Sequence, residues 1–459
     1  MKFSKFSEYL EKLEATTKRL ELIDIMADLF RNSEGGEVGK ICYLLQGRVA
    51  PFYEPTEMGM AESMVAQAIA KAFSKTKEDV LRDYRKFGNM GLAALELAHS
   101  SQFTVHSSRF TVAEVFEELL KIANTGGEGS VEKKIAILSD LIARLDARSV
   151  KHVVNIPLGT LRLGIGDPTV MDALSIAKTG DKKLRPVIED AYNKTSDLGY
   201  VAEIFYKSGQ KGLANVKIMV GKPVRPALAE RMPNADEVVK RMGEDFAVEP
   251  KFDGFRVQVH KNGEKVEIFS RNLEDMTHAF PDLVEGVKRE IKAKSAILEG
   301  EAIAYNPQTE EFLPFQETTK RRRKHNVAQK ALELPLVMFA FDILYFNGED
   351  VTEKTYVERR KIVEKIIDYK ETIRIAESRI LHSAKQILEF FNECISEGLE
   401  GLMIKKLDSP YKAGGRGFHW IKFKRASSGE LTDTVDLSLI HISEPTRLRR
   451  ISYAVFCLK

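Results

Sequence analysis

Through roughly the first 215 residues, apolar positions recur three and four apart, the spacing that gives a helix one apolar stripe. Phe6, Leu10, Leu13, Thr17 and Leu20 fall on one such face, followed by Leu22, Ile25, Met26 and Leu29. The same period runs through MAESMVAQAIAKAF, TVAEVFEELLKIA and VEKKIAILSDLIARL, and TGGEGS (125–130) reads as a turn between the last two. No fixed-period repeat is present, which argues against a solenoid. GKPVRPALAERMPNADEV (221–238) then changes the style, since its three prolines break any helix. It reads as a linker into a second domain.

Beyond the linker the period becomes two. Val257 and Val259 alternate with polar residues, Asn262-Gly263 supplies a tight-turn signal, and Val266 and Ile268 resume the alternation, which is the pattern of a hairpin. SAILEGEAIAY, LPLVMFAFDILYF, GLMIKKL and HWIKFKR read as strands, while YVERRKIVEKII and AKQILEFFNECI read as amphipathic helices. The expected fold is multidomain: an all-α first half followed by an α+β domain with antiparallel sheets.

Composition narrows the class without naming a chemistry. A chain of 459 residues exceeds what one core usually serves and suggests about three domains. Its net charge of +3 is small, so any affinity for nucleic acid must come from local patches. Cys42, Cys394 and Cys457 lie far apart with no CxxC pair, which argues against a zinc site or a disulfide scaffold. That usage suits a reducing cytoplasm, and no apolar run approaches the ~18 residues of a membrane span.

Chemistry concentrates at KFDGFR (251–256), where two charges and a glycine interrupt strand-like sequence. Alternation places Lys251 and Asp253 on one face, with Gly254 allowing a bend or close approach of a ligand. A lysine amine is a nucleophile only when deprotonated, and desolvation or nearby cations lower its pKa toward that state. Arg256 can supply such charge and grip a phosphate with two nitrogens. Taken alone, a lysine near an aspartate is most often structural.

Its companions change that weighting. The stretch resembles the nucleotide-binding motif of the covalent nucleotidyltransferases, which comprise DNA ligases, RNA ligases and mRNA capping enzymes. Five further stretches follow in the family's order: SRN with Arg271, LEGEAIAY with Glu299 and Glu301, FAFDILYFNGE with Phe341 and Asp342, EGLEGLMIKK with Glu400, and WIKFKR with Lys422 and Lys424. IPLGTLRLGIGDPTVMDALS (156–175) and the PVRPALAERM linker resemble archaeal-type ATP-dependent DNA ligases, a likeness covering nearly all of residues 1–437. The implied nucleotidyltransferase domain is ATP-grasp-like.

The resemblance implies roles, residue by residue. Lys251 would attack the α-phosphate of ATP to give lysyl-AMP, which passes to the 5′-phosphate of a nick before the 3′-hydroxyl displaces it. Glu249 would read the adenine amino group and Phe341 would stack on the base. Arg256, Arg271, Lys422 and Lys424 would surround the phosphates. Glu301 would hold the ribose or a metal, and Glu400 a Mg²⁺. Each has a plainer reading. Phe341 could be core, Glu400 the solvated end of a helix, and Lys422 and Lys424 guards on an edge strand.

The same resemblance points to nicked duplex DNA as the partner, with a sliding clamp as a second candidate, no membrane, and a monomer. Lys320 to His325, including Arg321, Arg322 and Arg323, reads as a phosphate-binding stripe beside Phe315, an apolar wedge for the minor groove. The plainer reading is a solvated charged face. Arg162 with Gly159, Gly164 and Gly166 suggests main-chain approach to phosphate, against a mere loop. The expected domains are 1–220, DNA-binding; 221–430, adenylation; and 431–437, the start of an OB-fold domain otherwise missing. Residues 438–459 resemble translated sequencing adapter, against a natural short tail. The rival reading is a catalytically impaired DNA-binding fragment, and an RNA ligase or capping-type enzyme ranks below it.

Overall fold

The computed structural model describes residues 1–100, 109–306, 308–309, 311–322, 326–368 and 371–424. The expected start of an OB domain at 431–437, the tail at 438–459, residues 425–430 and Arg323 lie outside the described residues.

Twelve helices occupy the described residues from Phe3 to Ala214, and one apolar core running from Phe3 to Val216 joins them. Local chemistry sets their limits. Thr111 caps helix Val112–Asn124 in a reciprocal box with Glu114, and Thr76 with Asp79 does the same for Lys77–Phe87. The stripe expected from Phe6 through Leu20 is broken, however. The first helix stops at Glu14, and a second begins at Arg19. Between them the Thr16 hydroxyl accepts the Lys18 N–H at 3.1 Å, a local bond that competes with the helix. Thr17 is exposed and Leu20 is 71% exposed, so neither joins the core.

Among the described residues the second half contains twelve strands: β1 (Leu228–Arg231), β2 (Phe246–Lys251), β3 (Phe255–Asn262), β4 (Lys265–Ser270), β5 (Ser295–Asn306), β6 (Glu311–Phe312), β7 (Leu336–Phe346), β8 (Glu349–Asp350), β9 (Ile373–Ile375), β10 (Arg379–Leu381), β11 (Gly401–Lys406) and β12 (Arg416–Lys424). The first sheet runs β1-β12-β11-β2-β10 and the second β4-β3-β5-β7-β8, with β6 on β5 and β9 on β7. Pairing is antiparallel throughout except at β1–β12 and β7–β9. The expected hairpin is β3–β4, and Gly263 turns it with φ of 60°, a conformation that favours glycine.

Two longer helices, Tyr356–Ile366 and Ala384–Ser396, stand where the sequence places them. Ile218, Val224, Ala227, Ile297, Leu344, Tyr411 and Trp420 form an apolar seam between the two sheets. No helix among the described residues is long and apolar enough to cross a membrane.

Candidate active site

One wall of the site is the β2–β11–β12 ladder. Lys251 pairs across from Gly401 and Glu249 from Met403, so Lys251 and Glu249 share a face with a period of two. β2 ends at Lys251, and residues 252–254 form a turn with Asp253 exposed. The expected strand alternation of Lys251 and Asp253 therefore stops two residues short of Asp253. A Cβ on Gly254 would sit 2.5 Å from the Ala302 carbonyl oxygen. The chain bends at Gly254, which approaches the backbone of β5 closely on one side and lines the cavity described below.

Glu400 begins the approach to β11 rather than closing a helix, which ends at Ser396. Its N–H donates to the Lys251 carbonyl at 3.0 Å, and its carboxylate is ion-paired with both Lys251 and Lys424. Backbone and side chain together fix Glu400 against the lysine.

The opposite wall is β3, β5 and β7. Arg256 of β3 lies across from Glu301 of β5, which in turn lies across from Phe339 of β7. Arg256 does not present a two-nitrogen grip. One terminal nitrogen donates to the Glu299 carboxylate at 2.8 Å and the other to the Ala227 carbonyl at 2.9 Å. Glu299 is buried and also accepts from Tyr411 at 2.8 Å. Phe341 is half-buried at the cavity rather than enclosed in the core. Asp342, next in β7, is fully buried and takes both a 2.7 Å and a 3.1 Å bond from Arg359, a structural pair.

Deeper in, Glu249 is held from two sides. Tyr356 donates its hydroxyl at 2.6 Å to one carboxylate oxygen, and Lys405 stands 2.8 Å from the other. Lys405 also donates to the Phe341 carbonyl at 3.0 Å and lies 4.4 Å from the Trp420 ring. The sequence reading missed Lys405 and Trp420. Period-two alternation from Met403 carries Lys405 to the cavity face, and Trp420 is the chain's one tryptophan.

These walls enclose a cavity of about 460 Å³. Glu249, Lys251, Arg256, Arg271 and Glu301 line it, as do Phe341, Glu400, Lys422 and Lys424. Burial pushes the Lys251 amine below the usual lysine value. Arg271 and Arg256 push the same way, while Glu301 and Asp253 oppose them. Burial also lifts the Glu301 carboxyl to about 7, against the pull of Lys251 and Arg256.

The residues expected to meet DNA are dispersed. Phe315 opens a short helix, is half-buried edge-on against Phe255 at 5.5 Å, and lines the mouth of the same cavity. Arg322 also lines it and is ion-paired with Glu274. Arg321 is not a surface contact. It is 2% exposed, makes two 2.8 Å bonds to Asp282, and donates to the carbonyls of Leu334 and Ala279. Helix Phe315–Thr319 has ended by then, and the turn at residues 320–321 takes Arg321 inward while Arg322 stays out. Arg162 is exposed on the other half of the molecule, in a separate depression lined by Gln46, Gly159, Gly164 and Gly166.

Family models described as "ATP dependent DNA ligase domain" and "DNA ligase N terminus" match residues 226–424 and 2–175. A probable DNA ligase of Dictyoglomus turgidum is 50% identical over 440 residues, covering 96% of this chain and 75% of that protein. The chain belongs to the ATP-dependent DNA ligase family. A DNA ligase of Nitrosopumilus maritimus is 41% identical, again over 96% of this chain and 75% of its own length. DNA ligase 2 of Thermofilum pendens is 42% identical over 95% of this chain and 74% of that protein. The activity is that of an ATP-dependent DNA ligase: it uses ATP and acts on DNA.

Proposed function

We propose that Lys251 takes AMP from ATP and that the chain uses it to seal nicks in duplex DNA. The observation that carries this reading is a half-buried amine of lowered pKa at a cavity walled by Glu249, Phe341 and several cations. The free amine attacks the α-phosphorus. The Nζ–P bond forms, the bond to the bridging oxygen breaks, and pyrophosphate leaves with the electron pair. Glu400, already in contact with Nζ, is the acceptor at hand for the amine proton. Glu249 accepts from the adenine amino group, and the Phe341 ring covers the base. Arg271, Lys422 and Lys424 meet the phosphates, where fixed cations stabilise the charge of an in-line displacement. Arg256, its terminal nitrogens engaged, contributes charge and holds the floor.

Magnesium fits the oxygen donors present. Glu301 and Glu400 line the same cavity, and two carboxylates with phosphate oxygens satisfy its usual demand. Glu301 holds a proton near neutrality when buried without a cation, the state expected of a carboxylate awaiting one. Bound there, the ion would supply Lewis-acid stabilisation of phosphoryl oxygens. Arg322 and Phe315 at the cavity mouth, and Arg162 on the helical half, are the proposed contacts to a nicked duplex. The enzyme is proposed to act as a cytoplasmic monomer.

Incubation with α-labelled ATP and Mg²⁺ tests the core of this. The parent chain should acquire a covalent AMP label on Lys251, and Lys251→Ala should acquire none while keeping its nicked-duplex affinity. Undiminished labelling of Lys251→Ala would assign the nucleophile elsewhere.

A further inference from the structure

Tyr53 of the helical half packs behind a turn that borders the cavity. Tyr53 is 4% exposed, and its ring lies edge-on to Phe269 of β4 at 6.2 Å and 86°. With Leu273 these residues form a buried cluster of their own, apart from the cores on either side. The far end of Tyr53 belongs to the helical domain. Its hydroxyl lies 3.4 Å from Asp197, which caps helix Leu198–Ala214 and accepts from Tyr43 at 2.5 Å.

What Tyr53 covers is the turn that follows β4. The Ser270 N–H donates to the Glu274 carbonyl at 2.9 Å and the Leu273 N–H to the Ser270 carbonyl at 2.8 Å. At its tip Arg271 and Asn272 are exposed and line the nucleotide cavity. Leu273 has φ of 66°, the left-handed region that a branched side chain enters only at a cost of about 1 kcal/mol or more. Its side chain is nonetheless 4% exposed. Burial under Tyr53 offsets the strain, so the turn depends on the helical domain for its shape. Further bonds between the halves, among them Arg225 to Asp167 at 2.8 Å, the Arg225 N–H to the Asn193 carbonyl at 2.8 Å and Lys222 to Asp197 at 3.3 Å, act on the linker instead.

We infer that Tyr53 is a positioning residue: by seating Leu273 it makes the placement of Arg271 in the cavity depend on the docking of the helical domain. The inference rests on the reading of that cavity as the AMP-transfer site. Its consequence is that a helical domain shifted by DNA would also shift a cation beside the nucleophile. The turn itself reports this through the two amides that close it, the Ser270 N–H on the Glu274 carbonyl and the Leu273 N–H on the Ser270 carbonyl.

The test uses the whole chain without nucleotide. Hydrogen exchange of peptides spanning residues 270–274 is followed by mass spectrometry, with a peptide of helix Val112–Asn124 as the control. Tyr53→Ala should speed exchange of the turn about tenfold and leave the control unchanged. Tyr53→Phe, which keeps the ring, should restore the parent rate. Should Tyr53→Ala fail to fold, Leu273→Ala decides. It removes the seat, keeps the left-handed backbone strained, and should speed exchange likewise. In labelling by α-labelled ATP, Tyr53→Ala should slow the reaction and add nothing to Arg271→Gln in the double variant. Parent-like exchange in Tyr53→Ala or Leu273→Ala, or additive effects on labelling, would each overturn the coupling. Absence of labelling from the parent would overturn the AMP-transfer reading, whatever the exchange shows.

Discussion

Lys405 Nζ stands 2.8 Å from one oxygen of Glu249, and Tyr356 donates to the other at 2.6 Å, with all three side chains buried. Tyr356 also contacts the Ser378 hydroxyl at 3.0 Å, so a phenol that gives its proton to Glu249 takes one from Ser378. Two donors on the carboxylate orient it and leave its remaining lone pairs to accept. Such a group suits a 6-amino purine and repels a 6-oxo one. Lys405→Met should remove the lock. Preference for ATP over ITP, measured by competitive binding, should narrow about tenfold or more, because a Glu249 released from Lys405 is no longer held in the orientation that accepts from the 6-amino group. The same variant should lose about 3–5 kcal/mol of stability, the usual result of stripping one partner from a buried pair. Equal losses for both nucleotides would mean that Glu249 does not read the base.

Adjacent arginines should separate cleanly. Arg321 is 2% exposed and held by Asp282 and two carbonyls, so Arg321→Ala should unfold at markedly lower denaturant, by about 3–5 kcal/mol. Arg322 is half-exposed on Glu274, and Arg322→Ala should change stability by about 1 kcal/mol at most. DNA binding should show the reverse. Arg322→Ala should lower the slope of log affinity against log salt by up to ~0.9, the effect of one lost phosphate contact. Denaturant melts beside salt titrations of both variants check this, and an equal slope change in the two would reject the division.

That division shows where sequence reading stopped. A run of basic residues from Lys320 to His325 carries no mark of which one turns inward, because the mark is Asp282, 39 residues earlier in the chain. Lys405 escaped for the same reason: it looks like one of two strand lysines until Glu249 of β2 is laid beside β11. Of the motifs that did bring the cavity together, Lys251 and Lys424 end their strands and Glu301 stands mid-strand, but in each a charge interrupts an apolar run, and that interruption is visible in one dimension. Helices and strands were legible wherever the period ran unbroken, as in Val112–Asn124 or β7. The first stripe misled because period alone does not report a hydroxyl such as Thr16 taking a backbone N–H.

Gly254 offers a geometric prediction. Its missing side chain would meet the Ala302 carbonyl oxygen at 2.5 Å and the Ile303 side chain at 2.8 Å, neither of which can move without disturbing β5. Gly254→Ala should therefore push the 252–254 turn away from β5, at about 1–3 kcal/mol of stability. Lys251 precedes that turn directly, and Glu301 accepts a backbone hydrogen bond from Gly254. Covalent labelling by ATP should slow at least tenfold, with nicked-duplex affinity unchanged. Labelling at the parent rate, alongside a lowered melting temperature, would show that the turn does not set the position of the nucleophile.

Glu301 ties the site to pH. Burial lifts its carboxyl from an ordinary 4.5 to about 7. Between those values the folded chain holds a proton that the unfolded chain has released, so stability falls as pH rises through the window and stays lower above it. The shift amounts to about 2 kcal/mol once the solvent-filled cavity beside the carboxylate is allowed for. Glu301→Gln keeps the shape and removes the titration. Urea midpoints at pH 5 and pH 8 should therefore drop further in the parent than in Glu301→Gln, by about that amount. Mg²⁺ should act in the opposite sense at pH 8, raising the midpoint of the parent by stabilising the ionised carboxylate, and should do little for the glutamine variant. Identical pH dependence in the two proteins would mean that Glu301 ionises freely in the folded chain, and a Mg²⁺ response preserved in Glu301→Gln would move the ion to other ligands.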